Sequence, residues 1–402
     1  MKLLWHWFTM GPYHFARMSA LGRQPGMQLT VVETTRYDDH GWQRTETRYP
    51  FELITLAETQ LGRQTHRAVR GRYYQALEAA APDVIVESGY AEPYSRDALF
   101  LYKRDHPKLL TLLWSESTAF DHRRFWAAEK YKSWVLSYFD GALVAGGPHS
   151  RYMQELGMPS DVIAIIGGTV DNELFATRAD EMRAAAIGNE RLSAMPYFLY
   201  VGRFTSAKNL PFLLRAFHLY RVMSPGLAHD LVLVGSGPEE ETLRSLTRDL
   251  RIDGVHFVGN KQLDELLPYY AFAQAFVIAS KSEPWGLVIN EAMASGLPVL
   301  ASSMCGAAED LVIPHETGLL FDPNRTEELA HCFGEIAANP QQAAEMGTKA
   351  RLRVQSKLSL GRYVSQITSH LERLGGAAVF EARRPGTWPR VLSYFEQLVM
   401  RI

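Results

Sequence analysis

Ser280 to Asp322 reads S-K-S-E-P-W-G-L-V-I-N-E-A-M-A-S-G-L-P-V-L-A-S-S-M-C-G-A-A-E-D-L-V-I-P-H-E-T-G-L-L-F-D. The apolar run before it, Gln274–Ala279, has the pattern of a buried strand. A polar loop follows. A helix is expected from about Leu287, stopping at Gly296 with Pro298 beyond as a C-terminal signal. Pro298–Ala301 is the next parallel strand. The loop therefore lies at the carboxyl end of a parallel sheet, where α/β proteins bind ligands. Glu283 sits in that loop and Glu291 just over one turn into the helix, a Glu-x7-Glu spacing.

A helix N-terminus presents free N–H groups and partial positive charge, and Gly286 lets an anion approach the backbone. A phosphate at Gly286, Leu287 and Val288 would lie between the two carboxylates. Neither glutamate can hold it, because like charges repel. Each can accept hydrogen bonds from hydroxyls, so Glu291 suits a ribose diol and Glu283 a sugar. Taken alone, such a pair is more often a loop charge and a solvated helix residue. The surrounding sequence changes that balance.

Ser282-Glu283-Pro284-Trp285-Gly286, then Glu291-Ala292-Met293-Ala294, Gly296-Leu297-Pro298-Val299, Gly306, Glu309 and Gly318-Leu319-Leu320 resemble the donor site of glycosyltransferase family 4. Members of that family are retaining enzymes of GT-B architecture. The resemblance continues less tightly from Tyr197 to Leu374 and weakly over the N-terminal half. It implies two Rossmann-like, doubly wound parallel-sheet domains facing across a cleft, with donor on the C-terminal side and acceptor on the N-terminal side.

Composition agrees with that architecture. A chain of 402 residues, 47% hydrophobic, can bury two cores. A net charge of −2 argues against nucleic acid as a partner. Cys305 and Cys332 make neither a disulfide framework nor a metal site, so a reducing compartment is expected. Met1–Phe8 reads as a first strand rather than a signal peptide, and no run approaches the roughly 20 apolar residues of a membrane span. The expected location is cytoplasmic, with peripheral contact at the inner face of the membrane an open alternative. A basic stripe on the helix Gln60–Ala81, Arg63, Arg67 and Arg70 with His66 and Arg72, is a candidate for that contact, or simply a solvated face.

The first half alternates strands (Lys2–Thr9, Leu29–Glu33, Asp83–Glu87, Leu109–Leu113, Ala142–Ala145, Val162–Ile166) with helix-length segments, the pattern of a parallel sheet. Three loops follow strands that end at the same edge. The first, Thr9–His14, includes Gly11 and Tyr13, with Arg17 a turn into the next helix as an anion contact or a solvated charge. The second is Ser88-Gly89-Tyr90. The third runs from Trp114 to Arg124 and places Glu116 where the family has a catalytic histidine, with His122 farther along. Gly167–Phe175 resembles the G-x-D-x-x-x-F element that ends the first domain in this family.

Tyr197–Val201 opens the second domain, followed by Gly202-Arg203 and Lys208-Asn209, which matches the family's G-R…K-N element. Arg203 and Lys208 can offset the charge of a leaving diphosphate where other transferases use a metal. Gly235 follows the strand Leu231–Val234 as a donor-side loop, since the glycines there lack the third member of a dinucleotide fingerprint. Val258 and Asn260 mark the strand end that meets the nucleobase in the family. The donor-side set is thus Gly202, Arg203, Lys208, Gly235, Val258, Asn260, Glu283 and Pro284 to Val288 with Glu291.

The domains are placed at 1–175 (acceptor side), a helical linker 176–196, 197–375 (donor side) and a tail helix 376–402 returning to the first domain. Transfer of a hexose from a nucleotide-diphosphate sugar to a glycan or lipid-linked acceptor, in cell-surface polysaccharide or glycoconjugate synthesis, is the expected activity. No cofactor and no metal are expected, because no D-x-D carboxylate pair is present at the site. A non-hydrolysing nucleotide-sugar epimerase of the same fold, and a catalytically silent sugar-nucleotide-binding subunit, remain alternatives.

Overall fold

A computed structural model describes residues 1–36, 48–58, 66–121, 124–185, 196–227 and 229–376. The chain divides into two compact units, Met1–Ile166 with the chain from Leu360, and Gly167–Ser359.

In the first unit seven parallel strands lie in the order β3-β2-β1-β4-β5-β6-β7. They are β1 Lys2–Trp7, β2 Gln28–Thr35, β3 Glu52–Ala57, β4 Val84–Ser88, β5 Leu110–Ser115, β6 Gly141–Val144 and β7 Ile163–Ile165. β3 was not expected from the sequence. It is a short edge strand whose residues are only partly buried until Leu56, so its apolar signal is weak. β1 alternates as a strand must: Leu4 faces the core formed with Tyr73 and Leu77 of the helix His66–Ala80. Trp5 and Trp7 face the other side, their rings 5.6 Å apart.

His6, which interrupts this apolar strand, is buried in a closed polar network. Its Nδ1 is 2.6 Å from Glu87 and its Nε2 2.8 Å from the Thr34 hydroxyl. Tyr73 donates to the other Glu87 oxygen (2.9 Å) and Tyr94 to Thr34 (3.1 Å). Such satisfaction is what burial of these groups demands, and it ties the ends of β1, β2 and β4 together.

The second unit carries six parallel strands in the order β10-β9-β8-β11-β12-β13. These are β8 Tyr197–Val201, β9 Asp230–Val234, β10 Val255–Gly259, β11 Ala275–Ile278, β12 Val299–Ser302 and β13 Gly318–Phe321. Its core gathers Phe198, Phe217, Val277 and Phe333 from strands and flanking helices. Two doubly wound parallel-sheet units are what the sequence led us to expect.

The division between units differs from the expected one. The element Gly167–Phe175 opens the second unit instead of closing the first. The helix Asn172–Ala185, whose part from Ala176 onward was expected as a linker, packs within that unit. Phe175 meets Tyr270 edge-on at 5.9 Å, and Arg183 donates to the carbonyls of Ala271 and Ser295, both at 2.7 Å. Its alanine-rich, charged sequence conceals a buried stripe of Phe175, Ala176 and Ala179.

The helix Leu360–Gly376, assigned from sequence to the second domain, belongs to the first unit. Tyr363, Ile367, Leu371 and Leu374 form a stripe at helical spacing, and Tyr363 stacks 6.4 Å from Trp5. Each such side chain contributes about 1.5–3 kcal/mol on burial. Amphipathic periodicity revealed a buried face but not which sheet buries it. Residues 186–195 of the expected linker and 377–402 of the expected tail helix lie outside the described residues.

Candidate functional site

In the second unit, the chain leaves the adjacent strands β8, β9 and β10 through closely spaced turns. Gly202 N–H donates to Val234 (3.0 Å) and Gly235 N–H to Gly259 (2.9 Å). Phe204 N–H donates to Ser236 (2.8 Å), which fixes the path of the loop carrying Arg203. Arg203 is exposed, and its guanidinium makes no ion pair among the described residues. Val258 is partly buried on β10 and Asn260 exposed just beyond it.

Lys208 ends the short 3-10 turn Ser206–Lys208. Asn209 follows in a left-handed conformation (φ 55°), its side chain donating to the Pro323 carbonyl at 3.1 Å. The chain then turns into the helix Leu210–Met223. The Lys208 ammonium is ion-paired with Glu283, which also accepts a hydrogen bond from the Ser280 hydroxyl at 3.2 Å. Two residues assigned to different donor groups thus touch each other. Nothing in the sequence signalled this pairing. Cys305 lies close by, and burial, with Glu283 adding to it, pushes its thiol well above the usual range, so it is inert as a nucleophile.

Glu283 to Gly286 is a rigid loop. The Glu283 carbonyl accepts from Gly306 N–H (2.9 Å) and the Trp285 carbonyl from Ala307 N–H (3.0 Å). Gly286 then adopts φ 94°, a conformation that favours glycine, and caps the helix Leu287–Ala294 without a side-chain cap. The first N–H groups of that helix have no intrahelical acceptor, and Glu283 packs against the cap, a Cβ on Gly286 falling 3.2 Å from its Cγ. Pro284 is exposed, and Leu287 and Val288 are partly so.

Two expected donor contacts are placed differently. Trp285 is 2% exposed and turned inward, its indole N–H donating to Asn290 at 3.2 Å. It therefore shapes the loop instead of lining its surface. Glu291 is 1% exposed and accepts a hydrogen bond from the Tyr270 hydroxyl at 2.8 Å. Tyr270 was missed in the sequence because it sits in another helix, Leu263–Phe272, within an ordinary apolar pattern.

In the first unit the loops after β1, β4 and β5 do lie side by side, since these strands are neighbours. Gly89 N–H donates to the Trp114 carbonyl at 2.9 Å. Gly11 caps the helix Pro12–Gly22, and its N–H donates to His14 Nδ1 at 2.9 Å; Tyr13 follows, partly buried. Tyr90 is hydrogen-bonded to Ser117 and pushed up to about 12, chiefly by burial. Glu116 is partly buried, and its charge adds to the burial that raises the Tyr363 hydroxyl. Arg17 is no solvated charge: it is 1% exposed, 6.0 Å from the Trp114 ring. His122 lies outside the described residues.

On the helix His66–Ala80 the basic stripe is thinner than expected. Arg67 is exposed, Arg70 partly buried, and Arg72 donates to the Leu56 carbonyl at 2.6 Å; Arg63 lies outside the described residues. Among the described residues, no group of three or more His, Cys, Asp or Glu side chains could hold a metal, and no helix is long and apolar enough to cross a membrane.

Residues 188–353 match the family model for Glycosyl transferases group 1. Over 217 residues it is 31% identical to the GDP-mannose-dependent alpha-(1-6)-phosphatidylinositol monomannoside mannosyltransferase of Mycobacterium tuberculosis, covering 52% of this chain and 55% of that protein. The chain spans about half the length of the curated relatives it matches. Sucrose-phosphate synthase from Thermosynechococcus elongatus has a similar fold, with a TM-score of 0.73 and 23% identity over 94% of this chain and 99% of that chain. Anabaena HepE in complex with UDP is also similar, with a TM-score of 0.71 and 15% identity over 93% and 100%. The fold is that of GT-B glycosyltransferases.

Proposed function

From the group 1 match and the geometry within it, we infer that the chain transfers a hexose from a nucleotide-diphosphate sugar to a hydroxyl acceptor, with retention and without a metal. The carrying observation is the Lys208–Glu283 pair beside the Gly286-capped helix N-terminus. That arrangement offers N–H donors and cations to a diphosphate and a carboxylate to a sugar hydroxyl. Glu291, its carboxylate held in place by the Tyr270 hydroxyl, takes the ribose diol. As the bond from the anomeric carbon to the diphosphate breaks, Arg203 and Lys208 stabilise the growing negative charge, usually the largest catalytic contribution. The acceptor oxygen forms the new bond on the same face, and its proton passes to the departing phosphate oxygen.

Glu116, with Tyr90 and the Gly11–Tyr13 turn, orients the acceptor hydroxyl. The mycobacterial relative is named for a phosphatidylinositol-based acceptor and HepE was crystallised with UDP, which supports a nucleotide-sugar donor and a glycan or lipid-linked acceptor here. Peripheral membrane contact fits such an acceptor. Phe125 and Trp126, 48% and 73% exposed beside the loop that carries Glu116, suit an interfacial role better than the thinned stripe on the helix His66–Ala80.

The test is a thermal-shift screen against nucleoside diphosphates, followed by product analysis with the matching sugar nucleotides. A ligand at 100 times its dissociation constant stabilises by about 2.7 kcal/mol. Stabilisation by UDP or GDP, with release of the diphosphate and formation of a glycoside, is the expected result. A sugar altered with donor alone would indicate an epimerase. Binding without turnover on any acceptor would indicate a silent subunit.

A further inference from the structure

We propose that Trp285 is a positioning residue for the donor loop, seated on Gly168, so that occupancy of the loop is coupled to the segment by which the chain enters the second unit. This rests on the reading above that the Gly286 loop holds the donor diphosphate.

Trp285 is the largest side chain of a polar loop, yet it is buried. Its indole lies flat against Gly168: a Cβ there would be 2.4 Å from both Cδ1 and Nε1. The Gly168 backbone is not in the left-handed region, so it is space, not conformation, that demands glycine. Asn290, fully buried on the donor-loop helix, bridges the two. It accepts from the indole N–H and donates to the Gly168 carbonyl at 2.7 Å. Every polar group of this contact is satisfied, which makes it specific as well as tight.

Gly168 is itself held from behind. A Cβ on Gly167 would be 2.3 Å from Leu358, and the Asn172 side chain donates to the carbonyls of Val354 (3.2 Å) and Leu358 (3.0 Å). The seat is thus packed and hydrogen-bonded on its own side, so a methyl added at Gly168 presses on the indole. On its far side the Trp285 carbonyl is held by Ala307 N–H, and the next residue is Gly286. A shift of the indole therefore reaches the N–H groups of Leu287 and Val288 through a single residue. Misplacement by 1 Å in such a site can cost about a hundredfold.

The experiment is a double-mutant cycle in the full chain, read as calorimetric affinity for UDP and GDP of protein shown folded by circular dichroism. Gly168→Ala should weaken binding about tenfold or more. In a Trp285→Leu background, where the ring is gone, the same alanine should cost less than about twofold. Equal losses in both backgrounds, or unchanged affinity in Gly168→Ala, would overturn the proposal while leaving the donor site intact. If the wild type binds no nucleoside diphosphate, the functional reading itself fails and takes the proposal with it. Should Gly168→Ala not fold, hydrogen exchange of the wild type decides. The diphosphate should slow exchange across residues 167–172, and no change there would overturn the coupling.

Discussion

Lys208→Ala tests the division of labour at the site. In the structure the Lys208 cation is paired with Glu283, and their side chains are 22% and 12% exposed. On the proposed reading a bound diphosphate shares that cation. Exposed pairs are worth about 0–1 kcal/mol, whereas truncating one partner of a buried pair costs about 3–5 kcal/mol. This pair lies between those limits, and a hydrogen bond from a charged group to the phosphate contributes about 1.5–3 kcal/mol, so removal of Lys208 should cost about 2 kcal/mol of diphosphate binding, roughly thirtyfold in affinity. The matching nucleoside, which lacks the phosphates, should bind the variant almost as it binds the wild type. Glu283→Gln has the opposite sign. It frees Lys208, so the diphosphate should bind as tightly as before or more tightly, while turnover of the sugar donor falls. Calorimetry with UDP or GDP and with uridine or guanosine, at constant salt, reads all of these. Equal losses for nucleoside and diphosphate in Lys208→Ala would refute the reasoning. So would a Glu283→Gln variant that loses as much diphosphate affinity as Lys208→Ala.

Tyr270→Phe removes the hydroxyl that donates to buried Glu291. A hydrogen bond to a charged group contributes about 1.5–3 kcal/mol, so both the unfolding midpoint and diphosphate affinity should fall, as thermal unfolding and calorimetry would show. His370 is buried beside Arg373, which donates to its Nδ1 at 2.6 Å; burial first, then that cation, lowers it to about 4. The unfolded chain, with histidine near 6.5, therefore binds more protons between those values. Stability should be lost as pH falls from about 6.5 toward 4, by on the order of 1–2 kcal/mol after solvent screening. Urea unfolding across that range should show the slope, and His370→Leu should flatten it. Glu116→Gln should lower turnover about tenfold, or 1.4 kcal/mol of barrier, with donor affinity within about threefold; unchanged turnover would remove Glu116 from the acceptor site. Turnover should also survive a chelator, and its restoration only by Mg²⁺ or Mn²⁺ would show that a metal takes part.

The elements of the site were legible because each is a local pattern. Gly286 before an apolar helix, Gly202-Arg203 after a strand, and Gly296 with Pro298 after a helix announce turns whose chemistry depends on nearest neighbours. What escaped the sequence was partnership across distance. Lys208 and Glu283 stand 75 residues apart, and Tyr270 and Glu291 21 apart, so their pairing depends on how strands and helices are arranged in the fold. Trp285 and Arg17 misled for a related reason. A large residue in a loop, or a charged one in a helix's second turn, reads as exposed, yet both are buried, Arg17 beside the Trp114 ring and Trp285 against the Gly168 backbone. The helix Leu360–Gly376 showed its apolar stripe plainly, but a stripe carries no address.

A crystal structure of the chain with UDP or GDP tests the central claim most directly. The diphosphate oxygens are expected about 2.7–3.1 Å from the N–H groups of Leu287 and Val288, with Lys208 and Arg203 turned toward them and the ribose hydroxyls on Glu291. A diphosphate ordered away from the Gly286-capped helix, or a ribose that leaves Glu291 bonded only to Tyr270, would contradict it.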